Sequence, residues 1–367
     1  MRTKIAVIFG GKSGEHEVSL VSSKSVIEAL NPAKYEIIEL GITREGLWLT
    51  GDGCLDAFKK QNYDGLKQIY FSTDPDKKGF FDDDKTFQEI DIAFPVLHGP
   101  FGEDGTIQGF FEMLDIPYVG CNVLASSTAM DKLQCKAIWN SADLPIVPYV
   151  GFNRKAWETE PDAIVADIKE NIGFPCFVKP ANMGSSVGIT KVKELSQLKS
   201  AIDEAASYDR RILVEKAVNA REIECAVLGN DELIASPVGE IIVGGEFYDF
   251  HDKYVNGVSM TQVPAELDEE TSDRIREICT KAYKLLDCSG LSRVDCFLDR
   301  DSGEIFLNEI NTLPGFTSIS MYPKMMEAHG INYEELVDRL VELGMERADD
   351  KRRNRTQFES GSDWFQE

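Results

Sequence analysis

The chain opens on a continuous apolar run, Ile5–Phe9, closed by Gly10 and Gly11. A run that is apolar at every position predicts a strand buried on both faces, as in a parallel sheet. The polar segment KSGEHEVS leads from it into a helix that Asn31 and Pro32 stop near Leu30. YEIIELGI and DIAFPVLHG predict two more buried strands, separated by an irregular polar stretch from Thr50 to Glu89. Past HGPFGEDG, Ile107, Phe110, Phe111 and Leu114 recur at i, i+3, i+4 and i+7, the period of a helix with one buried face. IPYVG predicts a short strand after it. Strands alternating with helices over this first third of the chain predict a doubly wound α/β domain.

From Ser126 one helix is expected through TAMDKLQCKAIWNSA, followed by the strand VPYV and a further helix. Gly173 and Pro175 introduce the strand CFVKP; a helix over Leu195–Ala206 and the strand RRILVEKAV follow. EIECAVLG and ELIASPVGEI, joined by Gly229-Asn230-Asp231, predict a hairpin. A glycine-bearing loop, Val243–Val258, precedes a long helix over Glu269–Leu286. LSRVDCFLD and EIFLNEIN, turning at Arg300–Gly303, predict a second hairpin, and a last helix is expected over Tyr333–Leu343. The tail after Ala348 is strongly charged and expected to fray.

With 367 residues, the chain exceeds what one core ordinarily serves, so two or three domains are expected. Hydrophobic residues at 43% and charged residues at 28% exclude a disordered or fibrous chain. No run approaches the ~18 apolar residues of a membrane-spanning helix. MRTKIAVIFGGKSGE lacks a small-residue cleavage site, so a cytoplasmic protein without membrane contact is expected. Sixty-three acidic against 39 basic residues give a net charge of -24. Such a surface repels nucleic acid, and any bound anion must be held by a few clustered cations. The eight cysteines have no C-x-x-C pair and no zinc-like spacing to histidine, so they read as small reduced hydrophobes.

Candidate chemistry concentrates in the second hairpin. Side chains alternate along a strand, so Arg293 and Asp295 share one face while Val294, Cys296 and Leu298 take the other. Glu309 and Asn311 share a face of the partner strand. Such a cluster is either a site for a hard cation, since Asp, Glu and Asn oxygens suit Mg²⁺, or an ordinary exposed hairpin face. KPANMGSSVG after its strand offers Lys179 and a glycine-hydroxyl loop whose N–H groups can fold over phosphates. It lacks the G-x-x-x-x-G-K-[ST] spacing and, standing alone, reads more readily as a plain surface loop. GGKSGEHEVS fails the dinucleotide spacing G-x-G-x-x-G, and its alternative is a turn placing Ser13 or Glu15 near a helix N-terminus. His98, ending a strand, is either a contact at the mouth of a site or a structural residue. Lys132, Glu215 and Lys216 are individually no more than helix-end and strand-end charges.

Taken in order, GGxSxExxVS, HGxxGEDG, MDK, KPxxxGSSxGxxK, the VEK strand, RVDxFLD and NExNTxPGFTSxSMYP resemble the D-alanine–D-alanine ligases of the ATP-grasp superfamily. The resemblance runs from about Ile5 to Leu343. It implies a three-part fold: an N-terminal α/β domain (residues 1–122), a central ATP-grasp lobe (123–215) and a C-terminal α+β lobe with the metal site (216–348), followed by a charged tail (349–367). It implies a two-step reaction. One D-alanine carboxylate attacks the γ-phosphate of ATP, giving an acylphosphate, and the amine of a second D-alanine then displaces phosphate to form a cell-wall precursor dipeptide.

The resemblance also assigns residues. Asp295, Glu309 and Asn311 match the ligands of two Mg²⁺ ions, for which Mn²⁺ is a substitute. Lys132, Lys179, Ser185 and Ser186 match phosphate and nucleotide contacts, Glu215 and Lys216 lie near adenine, and Glu222 is on the ribose. Glu15, with His98 nearby, matches the group holding the first D-alanine's ammonium, and Ser185 and Tyr254 match its hydrogen-bonded companions. Arg293 and the Gly315 N–H correspond to oxyanion stabilisers; Lys253, Arg293 and Ser320 correspond to groups receiving the second substrate's carboxylate. The substrate loop EFYDFHDKY departs from the usual pattern at His251 and Asp252. A homodimer is expected. The alternatives are a ligase making D-alanyl-D-lactate or D-alanyl-D-serine, or a nucleotide-binding sensor without turnover. Tyr254 and Met321 favour D-alanine over D-lactate as acceptor.

Overall fold

The computed structural model describes residues 2–242 and 260–356. Among them three sheets are built in succession along the chain. Thr3–Gly10 is the penultimate strand of the first sheet, with parallel neighbours Tyr35–Ile42 on its inner side and Ile92–Pro95 at the edge. With helices His16–Ala29 and Thr106–Met113 packed on the sheet, Ile5 through Phe9 are fully buried, which is why that run alternates with nothing polar. The strand ends at Gly10, where φ is +89° and a Cβ would stand 2.3 Å from the Ile42 carbonyl oxygen.

The stretch Thr50–Glu89 is not irregular. It folds as the helix Cys54–Lys59 and three antiparallel strands, Lys67–Phe71, Gly79–Asp82 and Phe87–Glu89, that widen the same sheet. Their few apolar residues, Ile69 and Phe80 among them, reach a core supplied by distant segments, so the short strands leave little local pattern. IPYVG contributes a single bridge from Tyr118 to Ala93 instead of a strand.

The helix expected through TAMDKLQCKAIWNSA is two helices, Val123–Met130 and Lys132–Ser141. Asp131 between them is extended, and its Oδ1 accepts from the N–H groups of Leu133 and Gln134, capping the second helix. The second sheet is antiparallel, in the order Thr190–Val192, Cys176–Pro180, Arg211–Lys216, Tyr149–Asn153, and the helix Leu195–Tyr208 packs on it through Leu198 and Ile202.

The third sheet joins Met260–Gln262, Gly239–Ile242, Ala220–Leu228, Leu291–Asp299 and Ile305–Asn311, all antiparallel. The helix Glu269–Leu285 covers one face through Ile275, Cys279 and Tyr283, and the fully buried Trp139 joins this core from the helix Lys132–Ser141. The last helix runs from Tyr333 to Lys351, past the expected Leu343, and packs Leu336, Val337 and Leu340 into a core shared with Val7 and Phe94 of the first sheet. All eight cysteines are buried. No helix among the described residues is long and apolar enough to cross a membrane.

Candidate active site

The three sheets border a cleft of about 720 Å³. On its first wall the loop after Thr3–Gly10 presents Glu15. Ser13 shapes that loop, donating to the His98 carbonyl oxygen at 2.8 Å and accepting from the Glu15 N–H at 3.1 Å. Gly99 allows the approach, because at φ +76° a Cβ would stand 2.8 Å from Glu15 Oε2 and 2.9 Å from Ser13 Oγ. His98 is buried, with Nδ1 3.1 Å from the Leu313 carbonyl oxygen and Nε2 3.0 Å from Ser22 Oγ. A carbonyl can only accept, so Nδ1 carries a proton. Burial alone would lower the imidazole, but Glu103, 3.8 Å from Nδ1, and Glu15 lift it above its ordinary value.

The second wall is the glycine-hydroxyl loop. Ser185 and Ser186 hold left-handed backbone angles, φ 51° and 58°, and non-glycine residues in that region cluster where a loop is shaped for a ligand. Ser185 Oγ donates to Glu15 Oε1 at 2.5 Å, joining residues 170 positions apart and closing the first wall onto the second. Lys132, at the start of its helix, donates to the Met183 carbonyl oxygen at 2.9 Å and lies 3.2 Å from Glu309 Oε2. Lys179 reaches the cleft from the strand Cys176–Pro180.

The third sheet forms the floor. Arg293 stands opposite Asn311, and Asp295 opposite Glu309, with a bulge between Asp295 and Cys296. The period-two reading of this hairpin holds, since Val294, Cys296 and Leu298 are buried on the far face. The Arg293 guanidinium forks onto Asp295, Nε to Oδ1 at 2.7 Å and the second nitrogen to Oδ2 at 2.6 Å, while Asn311 Nδ2 donates to Oδ2 at 3.0 Å. Glu222, Gly315 and Ser320 also line the cleft. Ser320 Oγ accepts from the Thr317 N–H at 3.1 Å and lies 2.8 Å from Thr317 Oγ1.

Two expected contacts sit elsewhere. Glu215 is buried behind the wall and Lys216 faces solvent; neither lines the cleft. Lys253, Tyr254, His251 and Asp252 lie outside the described residues. Two residues at the site escaped sequence reasoning. Glu224, in register with Asp295 on the adjacent strand, is 3.2 Å from Arg293 Nε, and Glu103 pairs with His98. Glu224 was readable in principle, since it shares a strand face with Glu222.

The floor suits a hard divalent cation. Asp295, Glu309 and Asn311 bring oxygen donors to one face of two paired strands. Among the described residues no three His, Cys, Asp or Glu side chains converge as a closed metal cage. Two carboxylates and an amide therefore fit an ion that keeps water and phosphate oxygens in its shell, as Mg²⁺ does.

Residues 4–121 match the family described as D-ala D-ala ligase N-terminus, and residues 138–342 match D-ala D-ala ligase C-terminus. The chain belongs to the D-alanine–D-alanine ligase family. The D-alanine–D-alanine ligase of Heliobacterium modesticaldum is 48% identical over 360 residues, 97% of this chain and 98% of the relative. That of Acetivibrio thermocellus is 45% identical, covering 95% and 97%. Among solved structures, the VanG D-Ala:D-Ser ligase from Enterococcus faecalis superimposes with a TM-score of 0.86 at 42% identity, over 94% of this chain and 100% of that one. The D-alanine–D-alanine ligase from Coxiella burnetii gives 0.83 at 34% identity, over 96% and 98%. The fold is thus the expected ATP-grasp fold of this ligase family, preceded by a doubly wound N-terminal α/β domain.

Proposed function

We propose that the protein joins two D-alanines at the expense of ATP, through D-alanyl phosphate, to give D-alanyl-D-alanine for peptidoglycan precursors. The observation that carries this reading is the Ser185–Glu15 hydrogen bond, which seals the amino-acid wall against the phosphate-loop wall above a floor bearing Arg293, Asp295, Glu309 and Asn311. Glu15 offers a carboxylate to the first substrate's ammonium, and His98, fixed by Leu313 and Ser22, supports that end of the cleft. Lys132, Lys179 and the Ser185–Ser186 loop receive the nucleotide phosphates, with Glu222 toward the ribose. Glu215 and Lys216 belong to the adenine side of the nucleotide site by the family resemblance, though neither lines the cleft directly.

Asp295, Glu309 and Asn311 would hold Mg²⁺, which neutralises phosphate charge when bound. The first carboxylate oxygen then attacks the γ-phosphorus and ADP leaves. Arg293 and the Gly315 N–H stabilise the oxyanion that forms when the second amine, having lost a proton, attacks the acyl carbon and phosphate departs. Arg293 and Ser320 receive the second carboxylate; Lys253 is assigned to that group, and Tyr254 to the companions of Glu15 and Ser185, by the family resemblance alone. Residues 1–122 act as the amino-acid domain, 123–215 and 216–348 as the two nucleotide lobes, and 349–367 as a tail without an assigned role. We read the enzyme as a cytoplasmic homodimer acting on small molecules, a state that sedimentation would check.

Phosphate release on adding ATP, Mg²⁺ and D-alanine, with the dipeptide identified by mass, tests the reading. Nucleotide binding without phosphate release would replace it by the sensor. The likeness to VanG favours one second reading, D-serine as acceptor, which the same assay tests by supplying D-serine beside D-alanine.

A further inference from the structure

Behind the phosphate-loop wall lies a charge cluster that the ligase reading uses only in part. Glu215, on the strand Arg211–Lys216, sits between two ammonium groups. Lys179 on the neighbouring strand contacts Oε1 directly, and Lys136, on the helix Lys132–Ser141, has Nζ 3.1 Å from Oε2. Lys136 and Glu215 are each 1% exposed, and of the three only Lys179 lines the cleft. The Lys136 contact lies outside hydrogen-bonding geometry: neither Lys136 Nζ nor Glu215 Oε2 has a hydrogen-bond partner among the described residues. Lys136 follows the cleft-lining Lys132 by one helical turn, so both face the same side of the helix.

A buried ammonium without hydrogen bonds is costly, and an apolar side chain of similar length would pack there more cheaply. Its charge therefore needs a use. Burial alone would raise the Glu215 carboxyl, but the two ammonium groups outweigh it and bring it down to about 2, so the group stays an anion. With Lys179 as its sole counter-ion, Glu215 would be stranded whenever Lys179 turned toward the phosphates of a nucleotide. A second cation on the far oxygen removes that penalty.

We propose that Lys136 is a positioning residue for nucleotide binding: it keeps Glu215 neutralised so that Lys179 is available to the phosphates. The inference rests on the ligase reading and adds a residue to its nucleotide site. Lys136→Met in the full-length protein should weaken ADP binding, measured by calorimetry with Mg²⁺, by more than ~5-fold and raise KM for ATP to match. KM for D-alanine and the unfolding midpoint should stay near those of the wild type. Lys136→Arg, which keeps the charge, should bind ADP within ~5-fold of the wild type. A folded methionine variant with smaller loss, or one in which both KM values rise together, would overturn the proposal. So would a folded arginine variant with the larger loss, and failure of both variants to fold would make Lys136 structural. Absence of ADP binding by the wild type would instead overturn the ligase reading itself.

Discussion

Replacing Arg293 by lysine keeps the positive charge and removes the planar fork. In the structure that fork makes two hydrogen bonds to Asp295, at 2.7 and 2.6 Å, and keeps its Nε 3.2 Å from Glu224. A single ammonium cannot span both carboxylates with the same geometry. Loss of one charge-assisted bond costs about 1.5–3 kcal/mol, and the site is buried enough for that range to apply. The larger effect falls on turnover. If Arg293 is an oxyanion donor, its loss should lower kcat by roughly 100-fold or more at saturating D-alanine, about 2.7 kcal/mol of transition-state stabilisation. Phosphate release measures kcat, thermal unfolding reports the stability loss, and ADP calorimetry checks that the nucleotide site is intact. A folded Arg293→Lys variant retaining kcat within about threefold would refute the role.

Glu309→Gln should fold normally yet need about tenfold more Mg²⁺ for half-maximal turnover, since one charged oxygen donor is gone. Near-normal phosphate release at low Mg²⁺ would count against the metal floor. The Glu215 carboxyl lies at about 2 against an ordinary 4.5, so its contribution to stability is complete above 4.5 and lost as pH falls toward 2. Glu215→Gln should therefore lose stability less steeply than the wild type across that window in acid titrations followed by circular dichroism; parallel curves would be the wrong outcome. With D-alanine, D-lactate and D-serine supplied at equal concentration, D-alanyl-D-alanine should dominate at about pH 8, where the amine nucleophile is more readily deprotonated. Predominant depsipeptide or D-alanyl-D-serine there would move the chain to the variant ligases.

Whatever depends on local periodicity or on a backbone type was legible along the chain alone. Ile5–Phe9 read as a strand covered on both faces, and alternation in SRVDCFL and LNEIN put Arg293 with Asp295 on one face of their strand and Glu309 with Asn311 on one face of theirs; the register then set the two faces side by side. The order of motifs carried the family, and with it the ATP-grasp architecture. The rest depends on contacts between distant segments. The strands between Thr50 and Glu89 take their apolar partners from elsewhere in the chain, so their own residues read as loop. Asp131 breaks one helical pattern into two because its side chain satisfies the next helix's N–H groups, a preference that competed with continuing apolar spacing. The pairs that build the cleft, Ser185 with Glu15 and Glu224 with Arg293, and the Lys136–Glu215 pair buried behind it join residues 69 to 170 positions apart. No local period encodes such a meeting. It exists because burying the apolar faces of three sheets, two of which share a core, leaves their polar edges facing one cleft, where charges must find partners or hold a ligand.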